Sequence, residues 1–344
     1  MNGMLLLGGE EVRALLDGRE HEVIDAVERA YRAHAAGASS LPHSVFLRFP
    51  HHPGSRIIAL PAYVGGGLDV AGLKWIASFP HNLEAGIERA SATLILNSVE
   101  TGRPHAIMEA SVVSARRTAA SAALAARHLH AGHDASRLGV VGCGPISLEV
   151  VRFVRAALPE LRELVLFDLA PERVERFAAV ARREVGPLEV TRAASTDEVL
   201  ESAELVAFAT TAPAPYVRRL PPASRARTIL HVSLRDLAPE ILLAADNVVD
   251  DVDHVCRAST SPHLAEQAAG NRDFIRCTLA DVFDGRAPAR VGDGRVSIFS
   301  PFGLGVLDLA VAQLVYARGM EDGVGTRLHG FFPAPWDAAG APGA

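Results

Sequence analysis

The sequence predicts an α/β protein that combines a doubly wound parallel sheet with an α+β domain built on a mainly antiparallel sheet. At 344 residues the chain is long enough for two domains of ordinary size. Residues 45–99 form short β-rich runs separated by Pro, Gly and Asn turns, a pattern typical of an antiparallel sheet. After residue 136, strand and helix patterns alternate, which predicts a parallel sheet with helices on both faces.

Helical periodicity comes first along the chain, over residues 10–36, and predicts one or two surface helices. Residues 114–130 follow the β-rich region and predict an alanine-rich helix with Ser114 in the N-cap role. We expect the sheet between these segments to pack one face on the early helices. The four β-rich runs that build it are SVFLRF, RIIALPAYV, VAGLKWIASF and SATLILNSV.

The second half of the chain contains six candidate buried strands, most of them separated by helical segments: RLGVVG, ELVLFDL, LEVTRA, ELVAFATT, TILHVSL and NVVDD. Residues 302–320 predict a long apolar helix that folds back onto the first domain. The tail, 331–344, is rich in Pro, Ala and Gly and is expected to be loosely held. These patterns divide the chain into residues 1–126 together with 301–344, and residues 127–300.

Composition places the chain among soluble globular proteins, with 49% hydrophobic and 22% charged residues. A formal net charge of −6 argues against nucleic acid or an anionic membrane as a partner. No apolar run approaches the roughly 20 residues that a bilayer requires. The N-terminal MNGMLLLGGEEV runs into acidic residues, unlike a signal peptide. We expect a cytoplasmic protein that acts on a small molecule.

Cysteine and histidine spacing predicts neither a disulfide framework nor a metal site. The three cysteines, Cys143, Cys256 and Cys277, are too far apart for a Cys-x-x-Cys pair. The 14 histidines are scattered and lack His-Glu-x-x-His spacing. We therefore expect no bound metal.

A glycine-rich turn, GCGPIS at 142–147, lies between a predicted strand and a predicted helix. The first glycine permits a tight turn, the second lets the backbone approach a pyrophosphate, and the helix N-terminus favours its charge. Ser147 replaces the third glycine of the usual dinucleotide fingerprint and is small enough for helix–strand packing. We expect a dinucleotide to contact the turn through Gly142, Cys143, Gly144, Pro145 and Ile146.

Asp168 ends the second predicted strand, 26 residues after Gly142. A carboxylate at this position accepts hydrogen bonds from the adenosine ribose and repels the additional phosphate of NADP. Leu169 and Ala170 follow it, with no adjacent arginine. The alternative is that Asp168 merely caps the next helix. In its full context the motif predicts a Rossmann domain that binds NAD.

Lysine is almost absent from the chain: of 34 basic residues, Lys74 is the single lysine. Lysine can lose its proton when it is partly buried, whereas arginine in practice cannot. Lys74 is therefore a candidate for a proton-transfer role, although a leftover residue without function would give the same composition.

The segments AGLKWIASFP, VSARRTAASAALAA and VSLRDLAPE together resemble the ornithine cyclodeaminase/μ-crystallin family, and the resemblance extends over essentially the whole chain. It implies that Lys74 is the active-site lysine and that Arg117, before Thr118, grips a substrate carboxylate, with Arg116 as the weaker candidate. It also implies a second carboxylate-binding arginine, Arg48. Asp236 resembles the catalytic carboxylate, although its loop reads Leu-Arg-Asp-Leu where cyclodeaminases have a shorter, glycine-containing turn.

Further residues are expected at the cofactor on the same resemblance: Thr118, Ser233 and Ser300. Family members form homodimers through the first domain, and residues 45–110 fit that role.

One branch of the family is closer still, on runs such as GLKWIASFPHNLEAGIERASATLILN and DDVDHVCRASTSPHLAEQ. It contains dehydrogenases of siderophore and peptide-antibiotic pathways. These oxidise N-(2-amino-2-carboxyethyl)-L-glutamate with NAD and release L-2,3-diaminopropionate and 2-oxoglutarate. The resemblance implies this reaction, with Lys74 and Asp236 as the titratable groups available for proton transfer. Whether Lys74 acts as the base or as another carboxylate anchor stays open at this point.

Three other functions fit the same sequence. The first is an ornithine cyclodeaminase, which forms proline and ammonia. The second is an imine or amino-acid dehydrogenase, such as an alanine dehydrogenase of the family. The third is a cofactor-bound binding protein without turnover, as in the crystallin branch; the joint presence of Lys74, Arg117 and Asp236 argues against it.

Overall fold

The structure is a computed structural model and describes residues 3–52, 54–222, 227–292 and 294–333. Within these ranges the chain forms two eight-stranded sheets. One is wholly parallel and the other mainly antiparallel, which confirms the predicted fold class.

The first sheet is built from both ends of the chain. Its order is β16-β1-β7-β6-β5-β4-β2, with β3 also paired to β4. Each neighbouring pair in the described chain is antiparallel except β1–β7, which is parallel. The strands are β1 (Gly3–Leu7), β2 (Ser39–Ser40), β3 (Val45–Arg48), β4 (Arg56–Val64), β5 (Val70–Ser78), β6 (Ala90–Asn97), β7 (Pro104–Glu109) and β16 (Thr326–His329).

The second sheet has the order β10-β9-β8-β11-β12-β15-β13-β14, and all of its described pairs are parallel. Four of its eight strands are buried at every residue, as expected for the centre of a sheet covered on both faces. The strands are β8 (Arg137–Val141), β9 (Glu163–Phe167), β10 (Glu189–Arg192), β11 (Leu205–Phe208), β12 (Thr228–His231), β13 (Asp246–Val249), β14 (Ile275–Thr278) and β15 (Ser297–Ser300).

Helices fill the space around both sheets. In the described chain, none is both long and apolar enough to cross a membrane. The helices are α1 (Gly9–Leu16), α2 (Glu20–Ala35), α3 (Ser111–Leu129), α4 (Pro145–Ala157), α5 (Pro171–Glu184), α6 (Thr196–Ser202), α7 (Pro239–Ala244), α8 (Val252–Val255), α9 (Ser261–Ala269), α10 (Leu279–Phe283) and α11 (Gly305–Asp322), and a 3₁₀ turn spans Pro80–Ala85.

Two helices carry the chain between the sheets. The α3 helix leads from β7 to β8 and packs closely on α4, which its alanine-rich surface permits. The α11 helix follows β15 and packs on β4 and β5 of the first sheet. The predicted return of the late apolar helix to the first domain is therefore observed.

The start of α3 differs from the expectation. Ser114 is not its N-cap: the helix begins three residues earlier, at Ser111, and Ala110 is the cap. The Glu109 carboxylate accepts hydrogen bonds from the amides of Ser111 (2.6 Å) and Val112 (3.3 Å) and so satisfies the first turn. The Ser114 hydroxyl is consequently left to face the first sheet.

The sequence patterns also missed β1, β2, β7 and β16 of the first sheet, and β14 and β15 of the second. Gly3–Leu7 reads as a short apolar run, and its strand character depends on pairing with β7 and β16, far away in the chain. Part of the expected loose tail, residues 334–344, lies outside the described residues.

Candidate active site

Three charged side chains from three elements meet beneath the inner face of the first sheet. Lys74 lies on β5, Arg117 on α3 and Asp308 on α11. Lys74 Nζ lies 2.6 Å from Asp308 Oδ2, and Arg117 Nε donates a 2.9 Å hydrogen bond to Asp308 Oδ1. One carboxylate therefore holds two cations, and the cluster carries a net positive charge when Lys74 is protonated.

The cluster is shielded from water. Lys74 is 1% exposed and Asp308 is fully buried, while Arg117 is 9% exposed. Lys74 Nζ also donates a 3.1 Å hydrogen bond to Ser114 Oγ. The amine is thus held in a defined position by an anion and a hydroxyl rather than by solvent.

Burial lowers the pKa of Lys74 to about 8, from an ordinary value of 10.5. The Asp308 carboxylate opposes this shift, whereas the positive charge of Arg117 adds to it. An amine with this pKa exchanges its proton near neutral pH, as a general base must.

Arg117 is positioned by the crossover between β15 and α11. Gly303 has φ +93°, which favours glycine, and a Cβ there would lie 2.5 Å from Arg117 Nη1, so a larger residue would displace the guanidinium. The buried Asp250 carboxylate accepts hydrogen bonds from the amides of Phe302 (2.9 Å) and Gly303 (2.7 Å) and fixes this turn.

Arg116 faces a different environment from Arg117. It pairs with Asp17 and lies 3.7 Å from Glu149 of α4. Arg116 is therefore neutralised by carboxylates away from Lys74. The arginine that lies beside Lys74 is Arg117.

Asp236 lies after β12 in a separate buried network. It accepts a hydrogen bond from Thr210 and a 2.5 Å bond from Ser233 Oγ, and its Oδ2 lies 3.2 Å from His231 Nε2. Burial raises its pKa, but the bonds from His231, Ser233 and Thr210 outweigh burial and hold the pKa below its ordinary value. None of its described hydrogen bonds reaches Lys74, whose carboxylate partner is Asp308. A catalytic role for Asp236 stays a prediction.

The glycine-rich turn has the strand-to-helix geometry that the sequence predicts. Gly142 has φ +93°, and a Cβ there would lie 2.7 Å from the Ala209 carbonyl oxygen. The Cys143 amide donates a 2.8 Å hydrogen bond to Asp168 Oδ2, while Oδ1 accepts from Ala170. Each carboxylate oxygen has a further lone pair, so Asp168 can still accept bonds from two hydroxyl groups.

Space for a phosphate lies at the N-terminus of α4. Gly144 is its N-cap, and a Cβ there would meet nothing within 4 Å. Pro145 occupies the first helical turn, and the amides of Ile146 and Ser147 belong to that turn, where N–H groups lack partners within the helix. These features fit a bound pyrophosphate.

The other expected cofactor residues are engaged in the protein. Thr118 Oγ1 donates a 2.7 Å hydrogen bond to the Ser114 carbonyl within α3. Ser233 binds Asp236, and the buried Ser300 Oγ lies 3.2 Å from His231 Nδ1. Each of these three hydroxyl oxygens retains a lone pair that can accept a hydrogen bond. Contact of Thr118, Ser233 and Ser300 with a cofactor stays a prediction.

Arg48 lies at the exposed end of β3, with its guanidinium 5.5 Å from the ring centre of Phe46. It lines a cavity of about 180 Å³ between the two halves of the chain, together with Arg257 and Phe302. Phe302 directly precedes Gly303, which supports Arg117.

Asp308 is the functional residue that sequence reasoning missed. Its signal was a lone acid inside the apolar segment LGVLDLAVAQLV. Such a residue is buried only when it is paired, which could have directed attention to the lone lysine.

We predict that Lys74 titrates near pH 8. Because Lys74 is the single lysine, lysine labelled with ¹³C at its ε-carbon gives one side-chain NMR signal, to be followed between about pH 6 and pH 11. The expected midpoint is about 8, since burial disfavours the ammonium form. Asp308→Asn should move it lower, because the favourable charge is removed while burial and Arg117 remain.

Asp322→Asn, at the exposed end of the same helix, is the control and should leave the midpoint unchanged. A wild-type midpoint near 10.5 would contradict the assignment of a desolvated amine.

Comparison with proteins of known name shows relatives along nearly the whole chain. It is 27% identical over 332 residues to an N-((2S)-2-amino-2-carboxyethyl)-L-glutamate dehydrogenase of Staphylococcus aureus, covering 95% of this chain and 98% of that protein. It is 28% identical over 337 residues to an alanine dehydrogenase of Archaeoglobus fulgidus, with the same coverage.

Solved structures share the fold over similar spans. CmnK superposes with a TM-score of 0.86 at 27% identity, covering 97% of this chain and all of that chain. Thermococcus litoralis Δ¹-pyrroline-2-carboxylate reductase, in complex with NADH and L-proline, gives 0.83 at 25% identity, over 94% of this chain and 100% of that one. An archaeal alanine dehydrogenase dimer with bound NAD superposes with a TM-score of 0.82 at 27% identity, covering 96% of this chain and 100% of that chain.

These relatives are dehydrogenases and reductases of amino acids and imines, and two of the solved structures hold NAD or NADH. The model of one family matches residues 10–323, which include the buried cluster and the glycine-rich turn. The chain belongs to the ornithine cyclodeaminase/mu-crystallin family.

Proposed function

We propose that this protein is an NAD-dependent oxidoreductase that cleaves N-(2-amino-2-carboxyethyl)-L-glutamate to L-2,3-diaminopropionate and 2-oxoglutarate, for siderophore or peptide-antibiotic precursors. The observation that carries the proposal is the buried Lys74 amine, held between Asp308 and Ser114 beside the Arg117 guanidinium. The near full-length similarity to the S. aureus dehydrogenase supports the choice of substrate.

The cofactor in this proposal is NAD, held by the 142–147 turn and by Asp168. The open space at Gly144 accommodates a pyrophosphate, and Asp168 binds the ribose hydroxyls while repelling a 2′-phosphate. When bound, NAD supplies the acceptor for a hydride from the α-carbon of the glutamate part of the substrate.

Arg117 binds a carboxylate of the substrate. Its Nε is committed to Asp308 and its Nη2 donates a 3.5 Å hydrogen bond to Ser114 Oγ, so the remaining N–H groups of its two terminal nitrogens are the ones that can face a ligand. Asp308 and Gly303 restrict how the guanidinium can turn, and binding therefore requires little reorganisation.

Lys74 acts as the base. Its neutral amine takes a proton from the secondary ammonium of the substrate, so the nitrogen lone pair can form a C=N bond as the hydride leaves the α-carbon. Water then adds to the imine carbon and the C–N bond breaks, giving the ketone of 2-oxoglutarate and the amine of diaminopropionate. Asp236, held ionised by its hydrogen bonds, is the candidate that orients this water.

The cofactor proposal predicts that Gly144→Ala weakens NAD binding about tenfold or more, because the methyl group occupies the space needed by the pyrophosphate. Gly144 has φ −108°, which alanine adopts, so the free energy of unfolding should change by only about 1 kcal/mol. Calorimetric titration with NAD measures the effect. Gly292→Ala, also in open space, is the control; equal NAD affinity in both variants and the wild type would refute the assignment.

We predict that NADH accumulates when the protein is mixed with NAD and N-(2-amino-2-carboxyethyl)-L-glutamate. Absorbance at 340 nm measures the NADH, and mass spectrometry identifies both products. Lys74→Arg should lose about 10²–10⁴-fold in kcat, because a guanidinium does not release its proton. NAD affinity of this variant should be retained.

Parallel assays distinguish the other family activities. Ornithine giving proline and ammonia without net NADH would identify a cyclodeaminase, and NADH formation from L-alanine alone would identify an alanine dehydrogenase. Binding of NAD without turnover of the glutamate conjugate, ornithine or L-alanine would favour a binding protein.

The proposed assembly is a homodimer formed through the first sheet. Residues at alternate positions on β3, β4 and β5 form an apolar outer face, opposite the face that carries Lys74. Val45, Leu47 and Trp75 on this face are 64%, 45% and 41% exposed. Such a surface typically marks an interface, and an archaeal alanine dehydrogenase of similar fold is a dimer.

The dimer proposal predicts that Trp75→Glu lowers the mass in solution to that of one chain, 36.4 kDa, when measured by light scattering, because a carboxylate is desolvated in the interface. Leu243→Glu, at 42% exposure on α7, should leave the dimer intact. A monomeric wild type, or a dimeric Trp75→Glu variant, would overturn this assembly.

A further inference from the structure

Arginine side chains form a row at one end of the first sheet. Arg48 on β3 lies directly opposite Arg56 on β4, and Arg56 lies opposite Ser78 on β5. Arg89, just before β6, donates a 2.8 Å hydrogen bond to Ser78 Oγ and so reaches the same row. Residues directly opposite have Cβ atoms about 5 Å apart, and like charges in such pairs are unfavourable.

The second half of the chain contributes a fourth arginine, Arg235. It is close enough to Arg56 for their charges to interact, and its Nη2 donates a 3.1 Å hydrogen bond to the Ala258 carbonyl. Its Nε is buried and has no hydrogen-bond partner among the residues that the structure describes. Ala258 and Ser259 both have positive φ, +53° and +55°, so this loop is held in a backbone conformation that L-residues rarely adopt.

The row, Arg48, Arg56, Arg89 and Arg235, lacks counter-charges. Across the four described ranges of the chain, no carboxylate forms an ion pair with any of these arginines. Burial lowers the pKa of Arg56, and the charges of Arg89, Arg235 and Arg48 lower it further, in that order. Partly buried cations are normally paired, so the protein retains this arrangement at a cost.

The row is on the same face of the sheet as Lys74. Ser78 follows Lys74 by four residues on β5, an even number that keeps both side chains on one face, about 13 Å apart along the strand. Arg48 also lines the cavity of about 180 Å³ that includes Phe302, next to the turn beneath Arg117. The row and the Lys74 cluster therefore share one face of the sheet, and the cavity beside Arg48 adjoins the turn that supports Arg117.

We infer that the arginine row binds a second carboxylate of the substrate, so that the enzyme selects amino acids with two or more carboxylates over monocarboxylic ones. The inference rests on the proposed function and specifies which substrates its site accepts. A carboxylate supplies the missing negative charge and accepts bidentate hydrogen bonds from guanidinium groups. Alanine, proline and ornithine carry no second carboxylate and leave the row unpaired.

The test compares two ligands of equal carbon number, 2-oxoglutarate and 2-oxopentanoate, which differ in a terminal carboxylate against a methyl group. Calorimetry with the NAD-loaded protein should show 2-oxoglutarate binding about 10–100-fold more tightly. Arg56→Gln and Arg89→Gln should remove most of this preference while leaving 2-oxopentanoate affinity unchanged. Arg183→Gln is the matched control, because Arg183 is an exposed arginine on α5 whose ion pair in the described chain is with Glu184.

Two further readouts separate ligand binding from a purely structural role. With the glutamate conjugate, Arg56→Gln should raise KM with little change in kcat. In the ligand-free protein it should raise Tm by about 1–3 °C, since a like-charge pair is relieved. Equal affinity for the two ligands, an unchanged preference in the Arg56 and Arg89 variants, or a lowered Tm would overturn the inference.

Failure of the proposed function gives a different result. If the conjugate is not turned over but 2-oxoglutarate is still preferred through Arg56, the reaction is wrong and the dicarboxylate site stands. If the conjugate is turned over and the arginine variants keep the wild-type KM, the reaction stands and the site is wrong.

Discussion

A single buried carboxylate, Asp308, determines how the first half of the molecule is assembled. It contacts Lys74 on β5 and Arg117 on α3 from α11, a helix that follows them by almost 200 residues or more in the chain. Removing one partner of such a buried arrangement typically costs about 3–5 kcal/mol, because an unpaired charge remains in the interior. Sheet, helix and return helix are therefore stable only in one mutual arrangement, and that arrangement fixes the amine and the guanidinium.

Charge is distributed unevenly along the chain. The net charge is −6, yet the Lys74 cluster carries a positive charge when Lys74 is protonated, and the arginine row has no acidic partner among the described residues. Arg116, one residue from Arg117, is neutralised by Asp17 and Glu149 and serves the packing of α3. Adjacent arginines thus have different surroundings: Arg116 joins α3 to Asp17 and Glu149, and Arg117 joins α3 to Asp308 beside Lys74.

The sequence predicted those features whose signals are local. The glycine-rich turn, Asp168 and the strand–helix alternation depend on neighbours within a few tens of residues, and the lone lysine stood out by composition. Asp308 was missed because its partner Arg117 is 191 residues away and no motif links them. The first residue of α3 was missed because Glu109, a strand residue, satisfies the helix amides in place of a conventional cap.

The return of α11 and β16 to the first sheet makes the nucleotide-binding half an insertion within the other half. Its chain connections, α3 and the crossover at Gly303, both carry residues of the Arg117 environment. Exchanging this half for that of another family member is therefore a graft with two junctions, each of which touches Arg117. A point substitution in the nucleotide-binding half leaves both junctions unchanged, whereas recombination of whole domains alters the surroundings of Arg117 at each of them.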